Sequence, residues 1–362
     1  MGEQQMKIVL TGGGSAGHVT PNIALLPALT KRGYAVHYIG SHTGIERDLI
    51  IRCQVPYYGI SSGKLRRYFD LKNATDLFRI AKGLADATVL LRRIKPDIVF
   101  SKGGFVVVPV ALAARMLNIP VVIHESDITP GLANRLIMPF AKSVCVSFPE
   151  TLAHIPKDKG ILTGSPIRAS LWEGRPQEGK KICGFESLPD KPIIMIMGGS
   201  QGAVAINQHI SAILPKLLNR FHIIHLCGKG NVTESPLPGY APFEYAQDEL
   251  PHLLAAADMV VSRAGANTLF ELLALSKPNL LIPLGKSASR GDQILNAASF
   301  EKQGYSMVLP EEEVTADTLY DGLLALYAHR KKYTEHMHTQ GQKDGVKAVM
   351  SEIERWTKHP VT

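Results

Sequence analysis

Short apolar runs rich in β-branched residues alternate along the chain with longer segments whose apolar residues recur at helical spacing. The predicted strands of the first half are residues 7–10, 35–39, 97–100, 121–124 and 144–147. Those of the second half are residues 193–197, 222–227, 243–246, 259–262, 279–282 and 306–309. Runs that are apolar on both faces are typical of parallel sheets covered by helices on both sides. The pattern therefore predicts an α/β protein with doubly wound parallel sheets.

The two halves of the chain begin alike, which predicts two domains of one kind. Gly-Gly-Ser-Ala-Gly at 13–17 and Gly-Gly-Ser-Gln-Gly at 198–202 each follow a predicted strand and precede a predicted helix. The 362 residues also make about twice the usual length of one domain. We predict Rossmann-like domains at 1–165 and 166–340, and a C-terminal helix within 341–362 that packs back toward the first domain.

The net charge of +8 is unevenly distributed between these domains. Residues 1–165 contain 20 Lys and Arg against 11 Asp and Glu, whereas residues 166–362 contain 20 against 21. The excess positive charge indicates an anionic partner for the first domain. The four cysteines have neither disulfide nor zinc-binding spacing, so we expect reduced thiols and no metal site. We also expect neither a signal peptide nor a membrane-spanning segment.

A basic segment at 64–95 accounts for much of this charge. It holds nine basic and three acidic residues, interleaved with aromatic and aliphatic side chains. Such a segment suits an anionic membrane surface, and an amphipathic core helix with a solvated basic face is the alternative. Nucleic acid is not expected as a partner, because no recognition module accompanies the segment. The residues predicted to contact the membrane are Arg66, Arg67, Tyr68, Phe69, Phe78, Arg79 and Lys82.

The first glycine-rich loop, residues 12–17, matches the GxGxxG pattern of dinucleotide-binding folds. That interpretation requires a carboxylate at the tip of the second strand, and the tip at 39–42 reads Ile-Gly-Ser-His. A nicotinamide-dependent oxidoreductase is therefore disfavoured. A glycine turn before a helix still predicts a site for oxyanions or sugar hydroxyls, and tight packing of the glycines is the alternative.

His18 follows this loop at the predicted start of a helix. The positive end of a helix disfavours an imidazolium, so we expect a neutral ring that can accept a proton. A surface or capping role is the alternative for an isolated histidine. Its place at the carboxyl end of the first strand makes His18 our candidate general base.

Two more polar motifs of the first half follow predicted strands and would share the same sheet edge. Lys-Gly-Gly at 102–104 supplies a second glycine turn, and His-Glu-Ser-Asp at 124–127 ends a buried strand. Capping of the next helix by Ser126 or Asp127 is the alternative to a role in the site.

In the second half, a carboxylate near the start of a helix is the main candidate. Glu271 is placed to bind both hydroxyls of a ribose, and charge compensation at the helix N-terminus is the alternative. Asp292 and Gln293 open another helix, where they would bind sugar hydroxyls or cap that helix.

Six motifs, taken in order, resemble the MurG family of peptidoglycan glycosyltransferases. They are GGGSAGH near the start, HESD-x-x-PGLANR at 124–135, GSPIR at 164–168, GGSQGA at 198–203, SRAG-x-x-T-x-x-E at 262–271 and DQ-x-x-NA at 292–297. The resemblance spans nearly the whole chain and implies a GT-B fold, with two Rossmann-like domains facing across a cleft. It implies an inverting transfer of N-acetylglucosamine (GlcNAc) from UDP-GlcNAc to the 4-hydroxyl of the muramoyl sugar of lipid I, which gives lipid II.

The resemblance also implies partners and residue roles. The partners are UDP-GlcNAc, the lipid I acceptor and the anionic inner leaflet at the cytoplasmic face of the cell membrane, with no cofactor. No Asp-x-Asp occurs, so no protein-held metal is expected at the diphosphate. Residue 247 is implied to contact uracil through its backbone. The implied donor-binding residues are Ser15, Ala16, Gly17, Arg168, Ser200, Gln247, Ala266, Asn267, Thr268, Leu269, Phe270, Glu271, Asp292 and Gln293; the implied acceptor-binding residues are Gly13, Gly14, Gly103, Gly104 and Asn134.

The chain departs from the family pattern at three places. Ser15-Ala16 replaces a common Thr-Gly, Ser126-Asp127 replaces Gln-Asn, and Asp292 replaces a frequent Gln. Asp127 adds a second candidate base beside His18. Other GT-B lipid glycosyltransferases, UDP-GlcNAc epimerases and a non-catalytic membrane-binding nucleotide-sugar module remain alternatives.

Overall fold

Each of two structural units is built on one parallel sheet. The computed structural model describes residues 5–63, 72–198, 204–232, 237–285, 291–340 and 344–357, apart from the side chains of 72–77 and 340. The first unit comprises Met1–Arg168 and Asp344–Thr362, and the second comprises Ala169–Lys343. The predicted boundaries after residues 165 and 340 lie a few residues earlier.

The sheet of the first unit has seven strands. They are β1 (Lys7–Thr11), β2 (Ala35–Ser41), β3 (Tyr57–Ile60), β4 (Ile98–Ser101), β5 (Val121–Glu125), β6 (Ser143–Val146) and β7 (Gly160–Leu162). Their spatial order is β3-β2-β1-β4-β5-β6-β7, and every pair is parallel. The carboxyl ends of β1, β4 and β5 therefore meet at one edge of the sheet.

The sheet of the second unit has six strands in its described part. They are β8 (Ile193–Met197), β9 (His222–Leu226), β10 (Tyr240–Phe243), β11 (Met259–Ser262), β12 (Asn279–Leu281) and β13 (Met307–Val308). Their order is β10-β9-β8-β11-β12-β13, again with parallel pairs. The two sheets confirm the predicted α/β class.

Twelve α-helices connect or follow these strands in the part of the chain that is described. They are α1 (Thr20–Lys31), α2 (Ile45–Arg52), α3 (Lys72–Ile94), α4 (Val107–Met116), α5 (Leu132–Ile137), α6 (Pro176–Ile182), α7 (Val204–Leu218), α8 (Leu250–Ala256), α9 (Ala266–Ala274), α10 (Asp292–Lys302), α11 (Ala316–Gln340) and α12 (Gly345–Thr357). Across the described ranges, no helix combines the length and the apolar character needed to cross a bilayer.

Edge strands are where the strand predictions were wrong. The strands β3 and β7 were not predicted, and β10 spans Tyr240–Phe243 rather than residues 243–246. An edge strand pairs on one side only and is less buried, so it lacks the long apolar run of a central strand. Pro242 lies within β10, where the free side of an edge strand tolerates the missing N–H.

Alternate residues of β1 pack on opposite faces of the first sheet, as the strand period of two requires. Val9 joins a buried cluster with residues of α3, α4 and α5, whereas Ile8 and Leu10 join a second cluster on the other face. That second cluster includes Val349, Met350 and Ile353 of α12. The C-terminal helix thus covers one face of the sheet that carries the first glycine turn.

Candidate active site

Two glycine turns lie in contact at the carboxyl edge of the first sheet. The N–H of Gly13, after β1, donates to the carbonyl of Gly103, after β4, at 3.2 Å. A Cβ on Gly104 would lie 2.1 Å from Gly13 O, and Gly103 and Gly104 have φ of +101° and +87°. Both positions therefore favour glycine for their left-handed backbone, and Gly104 needs it for the close approach as well. The packing alternative for the first glycine loop describes Gly12 and Gly13, where a Cβ would lie 2.4 Å from His18 O and 2.5 Å from Glu46 Oε1. It does not describe Gly14, which has φ of +83° and open space where a Cβ would point.

His18 lies in a 3₁₀ turn, Ala16–His18, just before α1 rather than inside that helix. Its Nδ1 is 2.8 Å from Gly13 O and 3.2 Å from Ser15 Oγ. A carbonyl oxygen only accepts, so Nδ1 carries the proton, and a neutral imidazole then has its lone pair on Nε2. This tautomer presents Nε2 as the basic atom.

The fold brings His18 close to Gly103 and Asn134. A Cβ built on Gly103 would lie 3.5 Å from His18 Nε2 and 3.6 Å from Asn134 Nδ2. The bare backbone at Gly103 thus leaves room beside the imidazole. Within the first unit the structure gathers the predicted residues Gly13, Gly14, His18, Gly103, Gly104 and Asn134 at one edge.

A buried carboxylate that belongs to none of the sequence motifs supports the glycine turn after β1. Glu46, in the first turn of α2, is fully buried and accepts from the N–H groups of Gly14 (3.2 Å) and Ser41 (3.0 Å), and from the Ser41 hydroxyl. The N–H of Gly14 is thereby engaged within the protein. The signal in the sequence is an acidic residue one turn after the second strand, close to where dinucleotide-binding folds place theirs.

Glu125 organises the turn that follows β5. Its buried carboxylate accepts from the N–H groups of Ser126 (2.9 Å), Asp127 (3.2 Å) and Gly131 (2.9 Å), and from Asn134 Nδ2 (2.8 Å). The next helix, α5, has Gly131 as its N-cap, so the capping alternative for Ser126 and Asp127 is wrong. The turn instead presents the half-buried Asp127 at the same edge as Asn134.

A lysine and a histidine lie buried beneath these turns. Lys102 Nζ is 2.8 Å from His124 Nδ1 and also donates to Ser126 Oγ. Burial lowers the pKa of Lys102 to about 8, against the opposing effect of the Glu125 and Asp127 carboxylates. Burial and the nearby ammonium hold the pKa of His124 well below its usual range.

In the second unit, hydrogen bonds fix the turn between β11 and α9. The Oε1 atom of Gln293 accepts from the N–H groups of Ala264 (3.3 Å) and Leu284 (3.0 Å). Arg263 donates to Ile282 O at 3.1 Å and forms an ion pair with Glu311. Gln293 thus fixes this turn and does not cap its own helix, whose N-cap is Gly291 and whose first residue is Asp292.

Glu271 lies in the second turn of α9 and is almost fully buried. The first turn of that helix contains no acidic residue, so compensation of the helix N-terminus does not explain it. Around it, Ala266 is buried, Asn267 and Thr268 are half-buried, and the Phe270 ring meets that of Phe300 edge to face.

Two predicted donor contacts, Leu269 and Gln247, fit the structure less well. Leu269 is fully buried and its N–H donates to Gly265 O, so neither its side chain nor its N–H faces a ligand in this structure. The N–H of Gln247 donates to Glu249, and its carbonyl accepts from Leu250, so both backbone groups expected at uracil are already paired. Of the other predicted donor residues, Ser15, Ala16, Gly17 and Arg168 belong to the first unit, and Ser200 lies outside the described residues.

Within the described ranges, no three His, Cys, Asp or Glu side chains are grouped so as to hold a metal ion. The four cysteines are free thiols, two of them buried. Burial raises the pKa of the Cys183 thiol to about 12.

The chain matches the N-terminal domain of glycosyltransferase family 28 over residues 8–146 and the C-terminal domain over residues 193–353. It is 55% identical over 352 residues to the UDP-N-acetylglucosamine–N-acetylmuramyl-(pentapeptide) pyrophosphoryl-undecaprenol N-acetylglucosamine transferase of Clostridium tetani, covering 97% of this chain and 98% of that protein. It is 57% identical over 349 residues to the transferase of the same name from Lachnospira eligens, covering 96% and 98%.

The crystal structure of MurG from Acinetobacter baumannii has a TM-score of 0.74 to this chain at 25% identity, covering 97% of this chain and 99% of the other. The fold class is therefore that of the GT-B glycosyltransferases, as the motifs predicted. On the near-full-length identity and the two matched domains, the chain belongs to glycosyltransferase family 28 and, within it, to the MurG family of N-acetylglucosamine transferases.

Proposed function

We propose that this protein transfers GlcNAc from UDP-GlcNAc to the 4-hydroxyl of the muramoyl sugar of lipid I, forming lipid II with inversion at the anomeric carbon. The observation that carries the proposal is the 55–57% identity, over nearly the whole chain, to transferases whose name specifies this donor sugar and this acceptor. The tautomer and position of His18 supply a chemical basis for the transfer.

His18 is the general base of the proposed reaction. Its Nε2 takes the proton of the 4-hydroxyl, while that oxygen forms the new bond to the anomeric carbon and the bond to UDP breaks. The Gly13 carbonyl holds Nδ1–H and so keeps the basic lone pair on Nε2. Asp127 is the second candidate base at the same edge.

Asn134 is assigned to the acceptor edge. Its Nδ2 donates to the Glu125 carboxylate, and the residue is only 3% exposed. In this conformation Asn134 therefore fixes the turn after β5 beside Gly103 and does not meet the sugar directly. The open space beside Gly14, at the same edge, leaves room for the acceptor sugar.

The donor is assigned to the turn between β11 and α9. The Glu271 carboxylate has the two acceptor oxygens that a ribose diol requires. Gln293 uses its Oε1 for the turn, which orients its Nε2 as a donor for sugar hydroxyls. Departure of UDP would be assisted by backbone N–H groups and helix N-termini, with Ser15, Arg168 and Ser200 assigned to the same role.

The membrane contact is assigned to the start of α3. Phe78 is 79% exposed, and Arg79 and Lys82 are also exposed. An exposed aromatic ring beside basic side chains suits an anionic lipid surface, consistent with an acceptor that carries a polyprenyl tail. Arg66, Arg67, Tyr68 and Phe69 lie outside the described residues. The location that follows is the cytoplasmic face of the membrane.

The test is to incubate the protein with radiolabelled UDP-GlcNAc and separate lipid acceptors. Label transferred to lipid I alone supports the proposal. Label on diacylglycerol would indicate another lipid glycosyltransferase, and conversion of the free nucleotide sugar would indicate an epimerase. Protection against melting by UDP-GlcNAc with no product would indicate a non-catalytic module.

A further inference from the structure

Lys102 is a buried ammonium below the acceptor edge of the first unit. Lys102 is only 2% exposed. Its backbone N–H donates to Thr11 O at 2.9 Å and so extends the hydrogen bonding between β1 and β4. Its Nζ reaches across to β5, where it meets His124 Nδ1 at 2.8 Å and Ser126 Oγ. Burying an ammonium is costly unless it is hydrogen-bonded and its charge compensated, so this placement needs an explanation.

The ammonium is matched to its surroundings. His124 Nε2 is 2.9 Å from the Gly164 carbonyl and must donate to it, so Nδ1 offers its lone pair to Lys102. The negative charges that act on the ammonium are the carboxylates of Glu125 and Asp127. Cys145, on β6, is the other titratable group acting on Lys102, and burial raises the pKa of its thiol, so it stays uncharged.

Lys102 also adjoins both glycine turns. A Cβ on Gly12 would lie 3.3 Å from the Lys102 Cβ, and Gly103 begins the turn that lies beside His18 Nε2. Lys102 therefore lies close to Gly12 of the turn after β1, directly precedes Gly103 of the turn after β4, and donates to Ser126 of the turn after β5. These three turns carry His18, Gly103 and Asp127.

We propose that Lys102 is a positioning residue for the transfer: its ammonium, bound to His124 and Ser126, holds the turn after β5 in register with the glycine turns beside His18. Lys102 acts through these turns, because its buried Nζ has no path to substrate. This inference rests on the proposed function. On this proposal, the buried ammonium of Lys102 controls the distance between His18 Nε2 and the 4-hydroxyl of the acceptor.

The experiment compares Lys102→Met, which keeps the chain length and removes the charge, with Lys31→Met, an exposed change on α1 of the same unit. Steady-state kinetics with lipid I are measured from pH 6.5 to 9.5, together with UDP-GlcNAc affinity and thermal melting. We expect Lys102→Met to lower kcat/KM for the acceptor at least about tenfold, with UDP-GlcNAc affinity within about twofold of the wild type.

The pH profile separates positioning from a purely structural role. Loss of the proton from Lys102 removes the ammonium, so wild-type kcat/KM should fall as pH rises past about 8. The Lys102→Met profile should lack this alkaline limb. Asp127→Asn should lower kcat/KM by a smaller factor in the Lys102→Met background than in the wild type, because the ammonium compensates the Asp127 carboxylate.

Several outcomes overturn the inference. One is a folded Lys102→Met protein with wild-type kcat/KM, and another is the same alkaline limb in both proteins. If Lys102→Met does not fold, Ser126→Ala removes one partner of the ammonium, and an unchanged acceptor kcat/KM in that variant also overturns it. A wild type that transfers no sugar to lipid I defeats the proposed function instead.

Discussion

The carboxylate of Glu46 accepts a hydrogen bond from the backbone N–H of Gly14 at 3.2 Å and so ties α2 to the glycine turn after β1. The same carboxylate binds Ser41 at the end of β2. In dinucleotide-binding folds, an acidic residue near this strand end binds a ribose. Here the carboxylate is used inside the protein, which explains why a GxGxxG match occurs without a nicotinamide site.

Glu46→Ala should destabilise the first unit. The change leaves two backbone N–H groups and the Ser41 hydroxyl without their acceptor, a cost on the order of 3 kcal/mol in the free energy of unfolding. Urea denaturation measures this, with the exposed Asp48→Ala on the same helix as the control, expected within about 0.5 kcal/mol of the wild type. Equal losses for the two variants would mean that the Glu46 contacts add nothing.

His18→Ala should lower kcat roughly 10²–10⁴-fold, because the proton of the 4-hydroxyl then has no positioned acceptor. UDP-GlcNAc affinity should be retained, since the change leaves the second unit intact. Single-turnover rates with lipid I measure the chemical step. Asp127→Asn is the comparison: if it slows that step more than His18→Ala does, the two roles must be exchanged.

Glu271→Gln should weaken UDP binding by about 1.5–3 kcal/mol, the range for a hydrogen bond to a charged group. Titration calorimetry with UDP measures the loss. Glu301→Gln, an exposed change on α10 of the same unit, is the matched control and should leave the affinity unaltered. Unchanged UDP affinity in Glu271→Gln would remove the ribose assignment.

Central strands are predictable because a strand that is buried on both faces has a continuous apolar sequence. The strand β8, Ile193–Met197, is an example, since its predicted and observed bounds are the same. The edge strands β3, β7 and β10 carry weaker patterns, since one side of each pairs with nothing in the described sheet. Pro242 also weakens the prediction of β10, because a proline within an apolar run argues against a strand unless that strand is at an edge.

The site was only partly predictable, for a related reason. Glycine turns and their flanking polar residues are local patterns, so His18, Gly103 and Glu271 stood out. Glu46 and Lys102 act through contacts with residues distant in sequence, and an isolated acidic or basic residue gives no local sign of burial. The packing of β4 beside β5 identifies Lys102, and the contacts of α2 with the turn after β1 and the end of β2 identify Glu46.

His225 should make the second unit acid-labile. It lies buried between Tyr240 OH (3.1 Å) and Asn207 Oδ1 (3.0 Å), and burial lowers its pKa to about 4. Above pH 6.5 both folded and unfolded states hold it neutral, so stability is unaffected there. Below pH 6.5 the unfolded state takes up the proton first, and the folded state loses about 2 kcal/mol by pH 5.

The check is urea unfolding of the wild type and His225→Gln at pH 7 and pH 5. The loss between these pH values should be smaller in His225→Gln by about 2 kcal/mol. The exposed His154→Gln should behave like the wild type. A pH dependence that is the same in all three proteins would contradict the effect of His225 burial.

Membrane binding should depend on both charge and apolar exposure at α3. Each basic side chain near an anionic surface contributes about 1 kcal/mol, so Arg79→Glu with Lys82→Glu should weaken binding to anionic vesicles by at least about tenfold. Lys331→Glu with Lys332→Glu, on exposed positions of α11, makes the same change in net charge and should have little effect. Sedimentation with vesicles at low and high salt measures the difference, and UDP-GlcNAc affinity should be the same in all proteins.

Phe78→Ser separates insertion of the ring from simple charge attraction. Because Phe78 is 79% exposed, serine at this position costs the fold little. If the ring enters the lipid, Phe78→Ser weakens binding by a similar factor at low and high salt, since burial of apolar area is not screened as charge is. The loss should be about 1.5–3 kcal/mol for full burial of the ring. The decisive variants are Phe78→Ser and the α3 double variant, Arg79→Glu with Lys82→Glu. If both sediment like the wild type, the start of α3 is a solvated helix face and the membrane contact must lie elsewhere in the protein.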